Sequence, residues 1–187
     1  MANQSKAKDF CACDFLHIID PWFRLLYLFF VVELAPRRIV HFGVTSSPTD
    51  EWVAQQLREA TPFGHAPRFL IRDRESKYGE TFTRIPAGTS IDVLTTPYRA
   101  PKANAICERF LGGVRRECRD HILVLGEVHL YRVIREYVAY FNRARLHQGI
   151  NQQIPEGNTS VPKKQGKSKI IAFPVLNGLH HDYWMAA

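Results

Sequence analysis

Residues 10–45 read FCACDFLHIIDPWFRLLYLFFVVELAPRRIVHFGVT, three apolar runs separated by two turn signals. Phe10–Ile19 mixes alternating with continuous apolar character, which predicts a strand carrying Asp14 on one face. Asp20-Pro21 ends it with a turn. Leu25–Leu34 is rich in aromatic, leucine and valine side chains and predicts a buried second strand. That run is too short to span a bilayer. Ala35-Pro36-Arg37-Arg38 turns the chain, and Ile39–Thr45 returns as a third strand. Three strands joined by short turns read as an antiparallel meander.

Downstream the pattern alternates. Ser47-Pro48-Thr49-Asp50 predicts a helix start with Thr49 or Asp50 as cap. Val53, Leu57 and Ala60 then repeat at helical spacing until Pro62 and Gly64. Arg68–Arg72 reads as a short fourth strand ending at Asp73, followed by the polar loop RESKYGE and a weak helix over Thr81–Ile85 broken by Pro86 and Gly88. Ile91–Leu94 predicts a fifth strand, and Pro97–Pro101 a stiff lead into a helix. In that helix Cys107, Phe110, Leu111, Val114 and Cys118 make an apolar stripe, while Asn104, Glu108, Arg115 and Arg119 make a polar one. Gly112-Gly113 costs about 1 kcal/mol per glycine relative to alanine, which implies close approach of another helix or of a DNA backbone. A final helix over Glu127–Leu146 places Leu130, Val133, Ile134, Tyr137 and Phe141 on its core face. The order βββαβαβαα predicts a mixed α/β domain with helices packed on the sheet.

After Gln148 the character changes to a linker with Pro155, Gly157, Pro162 and the basic run KKQGKSK. The ending IIAFPVLNGLHHDYW predicts strands that dock on the domain or on a partner. The division is therefore a frayed segment at 1–9, a core at 10–149, and a linker with a short tail at 150–187.

The chain has 187 residues, with 25 Lys plus Arg against 18 Asp plus Glu, a balance that suits a polyanionic partner, nucleic acid before anionic membrane. Four cysteines are too few for a disulfide framework at this length, and no Cys-x-x-Cys pair is present, so Cys118 with His121 is half a zinc site without its other half. Free thiols and the lack of an apolar leader core in MANQSKAKDF predict a cytoplasmic protein.

Three acids stand out by position. Asp14 lies inside an apolar strand, Asp73 ends the fourth strand, and Glu108 sits early in the helix after the fifth. A buried acid is costly unless a cation or hydrogen bonds compensate it. Convergence of the three would call for a divalent ion with hard oxygen ligands, Mg²⁺ or Mn²⁺ rather than zinc. The structural alternative is equally simple: Asp73 caps a turn, Glu108 pairs with Arg115 or a neighbouring helix, and Asp14 is exposed.

The blocks CDFLHIID, FLIRDRESKYG and TPYRAPKANAICERFLGGVRRECRDHI together resemble the integrase core of DDE transposases and retroviral-type integrases, nearest to bacterial insertion-sequence transposases. The third block is the most specific, with its proline-rich turn, an Asn four residues before Glu, and Glu-Arg. The ending VLNGLHHDY resembles the tail of one such group. The resemblance implies an RNase H-like fold with a five-stranded mixed sheet, three antiparallel strands followed by two parallel ones. It implies two Mg²⁺ (or Mn²⁺) ions on Asp14, Asp73 and Glu108, with in-line attack of water or a DNA 3′-hydroxyl on a phosphodiester. It further implies DNA as partner and a homo-oligomer such as a dimer. The alternative is a remnant that binds DNA or oligomerises without catalysis.

Lys102, Asn104, Arg109 and Arg115 are then candidates for DNA phosphates, and Arg72 and Arg74 for DNA contacts or charge partners. Lys77 and Tyr78 are read as exposed loop residues within reach of substrate. Positive charge at His147, with Arg143 and Arg145, suits a helix C-terminus. His180-His181 reads as surface, and Asp20 and Asp92 as turn or strand-edge acids. The chain begins only a few residues before its first strand, without a helix-turn-helix or zinc-binding region there, so DNA-end recognition is expected from a separate subunit unless the chain is truncated. Glu75 stands where relatives of this kind have Asp.

Overall fold

The computed structural model describes residues 9–62, 66–74, 76–96, 105–157 and 169–186. The predicted turn Pro97–Pro101, Glu75, Lys102, Asn104 and the basic run of the linker up to Ser168 lie outside the described residues.

The meander forms as expected, as β1 (Phe10–Ile19), β2 (Leu25–Glu33) and β3 (Ile39–Thr45). β1 runs antiparallel to β2 from Cys11 opposite Glu33 to Ile19 opposite Leu25. The turn between them is built by Asp20, whose Oδ1 accepts from the backbone N–H of Trp22 and Arg24, both at 3.0 Å. Its Oδ2 accepts from Arg24 Nε at 2.7 Å. The turn-acid reading of Asp20 is thereby explained by three hydrogen bonds from one short loop.

β4 (Phe69–Arg72) and β5 (Asp92–Thr95) complete a sheet of order β3-β2-β1-β4-β5, with β4 parallel to β1 and β5 parallel to β4. Helix α1 (Asp50–Ala60) starts at Thr49, whose Oγ1 accepts from Trp52 N. Helix α2 departs from expectation: it spans Glu80–Gly88 and runs through Pro86. Asp50 supplies the reason, because its carboxylate accepts from the N–H groups of Gly79, Thr81 and Phe82 at 2.7–3.0 Å. Those are donors that the first turn of a helix cannot satisfy itself. With its start pinned and Phe82 buried, the helix tolerates a proline in its last turn.

Helices α3 (Ala105–Glu117) and α4 (Glu127–Arg143) follow. Alternation along the strands sorts the core into two clusters, one on each face of the sheet. Ala12, Leu16 and Ile18 of β1 pack with Cys107, Phe110 and Val114 of α3 and with Ile134, Tyr137 and Phe141 of α4. Cys11, Cys13 and Phe15 pack on the other face with Val53 and Leu57 of α1 and Phe82 of α2. Each such fully buried aliphatic or aromatic side chain is worth about 1.5–3 kcal/mol over its exposed state.

Gly113 of α3 faces Tyr137 of α4. A Cβ there would stand 3.1 Å from the Tyr137 hydroxyl, so the second of the two mid-helix glycines serves a neighbouring helix. The same hydroxyl donates to Glu117 Oε2 at 3.1 Å, and Arg145 closes on the carboxylate through Nε at 2.8 Å. Burial alone would raise the Glu117 carboxyl, but the hydrogen bonds and charge of Arg145 leave it below the ordinary carboxylate range. Asn142, buried at the end of α4, clamps β3 by accepting from Ile39 N and donating to Ile39 O.

The C-terminal residues form a hairpin, β6 (Ile170–Val175) and β7 (His180–Met185). It docks on the domain: Leu176 is buried in the α3–α4 cluster, and its N–H donates to Glu136. The His180 ring stacks on Tyr140 at 4.9 Å between centroids, with Nε2 2.6 Å from the Glu117 carbonyl. His180 is thus part of the docking contact and not a surface residue, whereas His181 is exposed.

Candidate active site

The strand register carries the argument. Ala12 of β1 pairs with Ile71 of β4 in the parallel ladder. Asp14 stands two residues further on, and Asp73 directly follows the end of β4, so the register continued past its last pair would bring the two to one level. Asp14 lies on the face with Ala12 and Leu16, which α3 covers. Asp14 is 9% exposed, set between Ala12 and Leu16 in an otherwise apolar row, and its Oδ1 accepts from Phe15 N at 2.8 Å. The reading of Asp14 as a simply exposed acid is excluded. Asp73 is half-buried, and Glu108 is exposed in the first turn of α3.

The buried Cys107 thiol registers all three acids. Its pKa is pushed well above the usual thiol value, chiefly by burial, with the charges of Asp14, Asp73 and Glu108 adding to it. Cys13, on the opposite face, is pushed up to about 12 by burial, offset in part by its hydrogen bond to Tyr78. These thiols are packing groups and not nucleophiles, and all four cysteines are free and buried. Among the described residues no group of three His, Cys, Asp or Glu side chains is gathered closely enough to hold a metal ion. Three carboxylates drawn together without a cation would repel one another.

Other residues separate clearly. Arg72 is not laid out for DNA: its Nη1 donates to the Asp73 carbonyl at 3.0 Å, and its guanidinium lies over Tyr78 and Phe82. Arg72 Nε is buried and lacks a hydrogen-bond partner among the described residues. Arg74, by contrast, is exposed. Tyr78 is buried, against the exposed-loop expectation, because its ring fills the space between Phe15 and Phe82 and its hydroxyl accepts from Cys13 at 3.7 Å. Lys77 lies over the rings of Phe15 and Tyr27 at 5.0 and 5.1 Å.

His147 is buried, with Nε2 3.1 Å from the Phe141 carbonyl and its ring edge-on to Phe141. Burial, together with Arg145 and Arg37, holds its pKa below the ordinary imidazole value. The expected positive charge at this helix end is therefore not its role. Arg115 is exposed on α3. Arg109 lines a cavity with Arg37 and Arg116, two residues that motif reading passed over, Arg37 because it stands in a turn and Arg116 because it lies off the Glu108 stripe.

Residues 89–155 match the family described as Integrase core domain. No curated protein matches the chain. Among solved structures, the HTLV-2 integrase catalytic core domain in complex with magnesium, in its trimeric form, superposes with a TM-score of 0.64 at 12% identity, covering 80% of this chain and 94% of that one. The dimeric form of the same domain gives 0.63 at 12% identity, over 81% and 95%. A chain of the simian T-cell lymphotropic virus intasome, in complex with a PP2A regulatory subunit, gives 0.65 at 14% identity, over 95% of this chain and 66% of that one. The family match covers residues 89–155, and over most of the chain the fold, a mixed five-stranded sheet of the RNase H-like kind flanked by helices, is the one seen in those integrase catalytic cores.

Proposed function

We propose that the chain is the catalytic core of a DDE-type transposase or integrase of the bacterial insertion-sequence kind, which cleaves DNA ends and transfers strands. The observation that supports this is the Ala12–Ile71 register, which leads the chain to Asp14 on β1 and to Asp73 just past β4, with Glu108 in the first turn of α3. The catalytic unit of this reading is 10–149, with 150–187 as an appendage clipped to it by the hairpin.

Asp14, Asp73 and Glu108 would hold two divalent ions. The donor set suits Mg²⁺ or Mn²⁺: all three are hard carboxylate ligands, and a mostly buried Asp14 is the kind of acid that a cation compensates. When bound, two such ions activate a hydroxyl nucleophile and stabilise the leaving oxygen of a phosphodiester. The chain's own part is positioning. The ladder fixes Asp14 and leads to Asp73 just past β4, Arg72 braces the backbone at Asp73 from behind, and exposed Glu108 is free to swing from the first turn of α3. Lys102, Asn104, Arg109 and Arg115 remain the DNA-binding candidates on and before that helix. The HTLV-2 relatives in dimeric and trimeric forms support a homo-oligomer, and a separate DNA-recognition subunit would supply end recognition.

The second reading, a DNA-binding remnant without catalysis, is favoured by the separation of the three acids among the described side chains. Incubation of supercoiled plasmid with the protein and Mn²⁺, beside Asp73→Asn and Glu108→Gln, decides between them. Nicking or joining by wild type alone is expected; equal products from all three proteins would leave only the remnant.

A further inference from the structure

Behind the acids, α3 presents a second face. Ile106, Arg109, Phe110, Gly113 and Arg116 share one side of the helix and wall a cavity of about 640 Å³. Arg109 directly follows Glu108, so this face is rotated by about 100° from the acid. The opposite wall comes from Arg37 in the β2–β3 turn and from Gln148, Gly149 and Gln152 after α4. Val32, Phe110 and Phe141 add apolar surface to the lining.

Three features single out the arginines. Among the described residues, Arg37, Arg109 and Arg116 form no salt bridge, whereas Arg145 in the same wall is already held by Glu117. Arg37 is partly buried with like charge beside it: burial and then the charge of Arg109 lower its pKa. Arg37 also adopts φ +59°, a left-handed backbone uncommon in a residue other than glycine, asparagine or aspartate. Its guanidinium lies so close over Gly149 that a Cβ on that glycine would collide with it. The backbone thus takes an unfavourable conformation, and Gly149 leaves room, to hold a cation against other cations. Such an arrangement is stable only if something else compensates it, and an anion does so directly.

We infer that this cavity is a phosphate-binding site, distinct from the three acids, that takes a backbone phosphodiester of the DNA strand lying along α3. Planar guanidinium forks on two walls match the oxygens of a phosphate, and the Gln148 and Gln152 side chains offer neutral donors beside them. The exposure of Arg109, Arg116 and Gln148 leaves the site open to solvent, as a continuous strand requires. The DNA assignment rests on the function proposed above; the anion site does not.

The test has two arms. In the first, thermal midpoints are measured in sodium sulfate and in sodium chloride of equal ionic strength. Sulfate should raise the midpoint of the wild type beyond chloride and should not do so for the double variant Arg37→Gln, Arg109→Gln. In the second, binding of a fluorescent DNA duplex is titrated over a range of salt. Each arginine replaced should weaken binding about tenfold and reduce the slope of log affinity on log salt by about 0.9. Arg37→Gly gives the sharpest readout, because relief of the left-handed strain should leave the midpoint unchanged or higher while DNA affinity falls. Gly149→Ala should fold and bind DNA as weakly as Arg37→Gln, since its methyl displaces the same guanidinium.

No sulfate effect together with unchanged DNA binding in the double variant would overturn the site. A sulfate effect with unchanged DNA binding would overturn the phosphodiester as its occupant. If the wild type bound no DNA at all, the functional reading would fall, and the sulfate arm would still decide the cavity.

Discussion

Cys13 and Asp14 are adjacent on β1, yet they face different halves of the molecule. Cys13 points into the cluster of α1 and α2, where Tyr78, Phe15 and Phe82 lie and burial is the largest influence on its thiol. Asp14 lies on the face with Ala12 and Leu16, which α3 covers, and that helix bears Glu108 and several arginines. One face of the sheet is a plain hydrophobic layer. The other gives up apolar packing to seat a carboxylate, the kind of local inconsistency expected where function overrides stability.

The largest break in that comparison comes from one-atom changes. Asp14→Asn keeps size and shape, and under the proposed chemistry it should lower DNA nicking by more than about 100-fold, the upper loss seen for residues that only support a metal ligand. Cys13→Ala, one residue away, should leave nicking within about threefold, because it costs only packing of the kind estimated for small core deletions. Equal losses in the plasmid assay would mean that the two faces are not functionally distinct.

Next in size is the independence of the two layers. Leu57→Ala in α1 and Ile134→Ala in α4 should each cost about 2–5 kcal/mol in denaturant unfolding. Because they lie in separate clusters on opposite faces, the double variant should match their sum to within about 0.5 kcal/mol. A larger departure would show the sheet transmitting strain between its faces. Asn142→Leu tests the polar clamp between α4 and β3: Ile39 would lose a donor and an acceptor at once, at about 1–3 kcal/mol for each buried group left unpaired.

Much of this is legible in the sequence, and the boundary is physical. β1, β2 and β3 follow from apolar runs and turn residues alone, to within a residue at each end. α3 and α4 follow from stripes at helical spacing, including the buried Leu130, Ile134 and Tyr137. What local pattern could not supply were partners distant in sequence. Asp50 capping α2 from 29 residues away is invisible to a rule that stops helices at Pro86. The placement of Asp14 relative to Asp73 depends on which strands pair and in what register, so spacing along the chain left it open. Tyr78 does lie in a loop, but its burial is hidden from local pattern because its cover comes from Phe15 and Cys13. Arg37 was read correctly as part of a turn, but a turn signal does not reveal a left-handed backbone or the direction of a guanidinium.

His147 gives the smallest expected effect and the most specific sign. Burial is the largest influence against charging its ring, the hydrogen bond to the Phe141 carbonyl opposes that, and the charges of Arg145 and Arg37 add to the burial. Its folded pKa therefore lies below the 6.5 of a free imidazole. On acidification the unfolded chain takes up this proton first, so stability is full above pH 6.5 and falls as pH drops through the folded value. The slope contributed by one such group is at most about 1.4 kcal/mol per pH unit. Glu117, whose folded pKa is also depressed, adds its own loss only below its ordinary value of 4.5, so the two windows separate on the pH axis. Unfolding free energies of wild type and His147→Gln between pH 7 and 5 should therefore converge as pH falls, the variant having lost the dependence. If an oxyanion occupies the neighbouring cavity, it offsets the charge of Arg37, raises the imidazole pKa towards its free value, and shrinks the same dependence in sulfate. A wild-type slope identical in sulfate and chloride would separate His147 from the arginine cavity it adjoins.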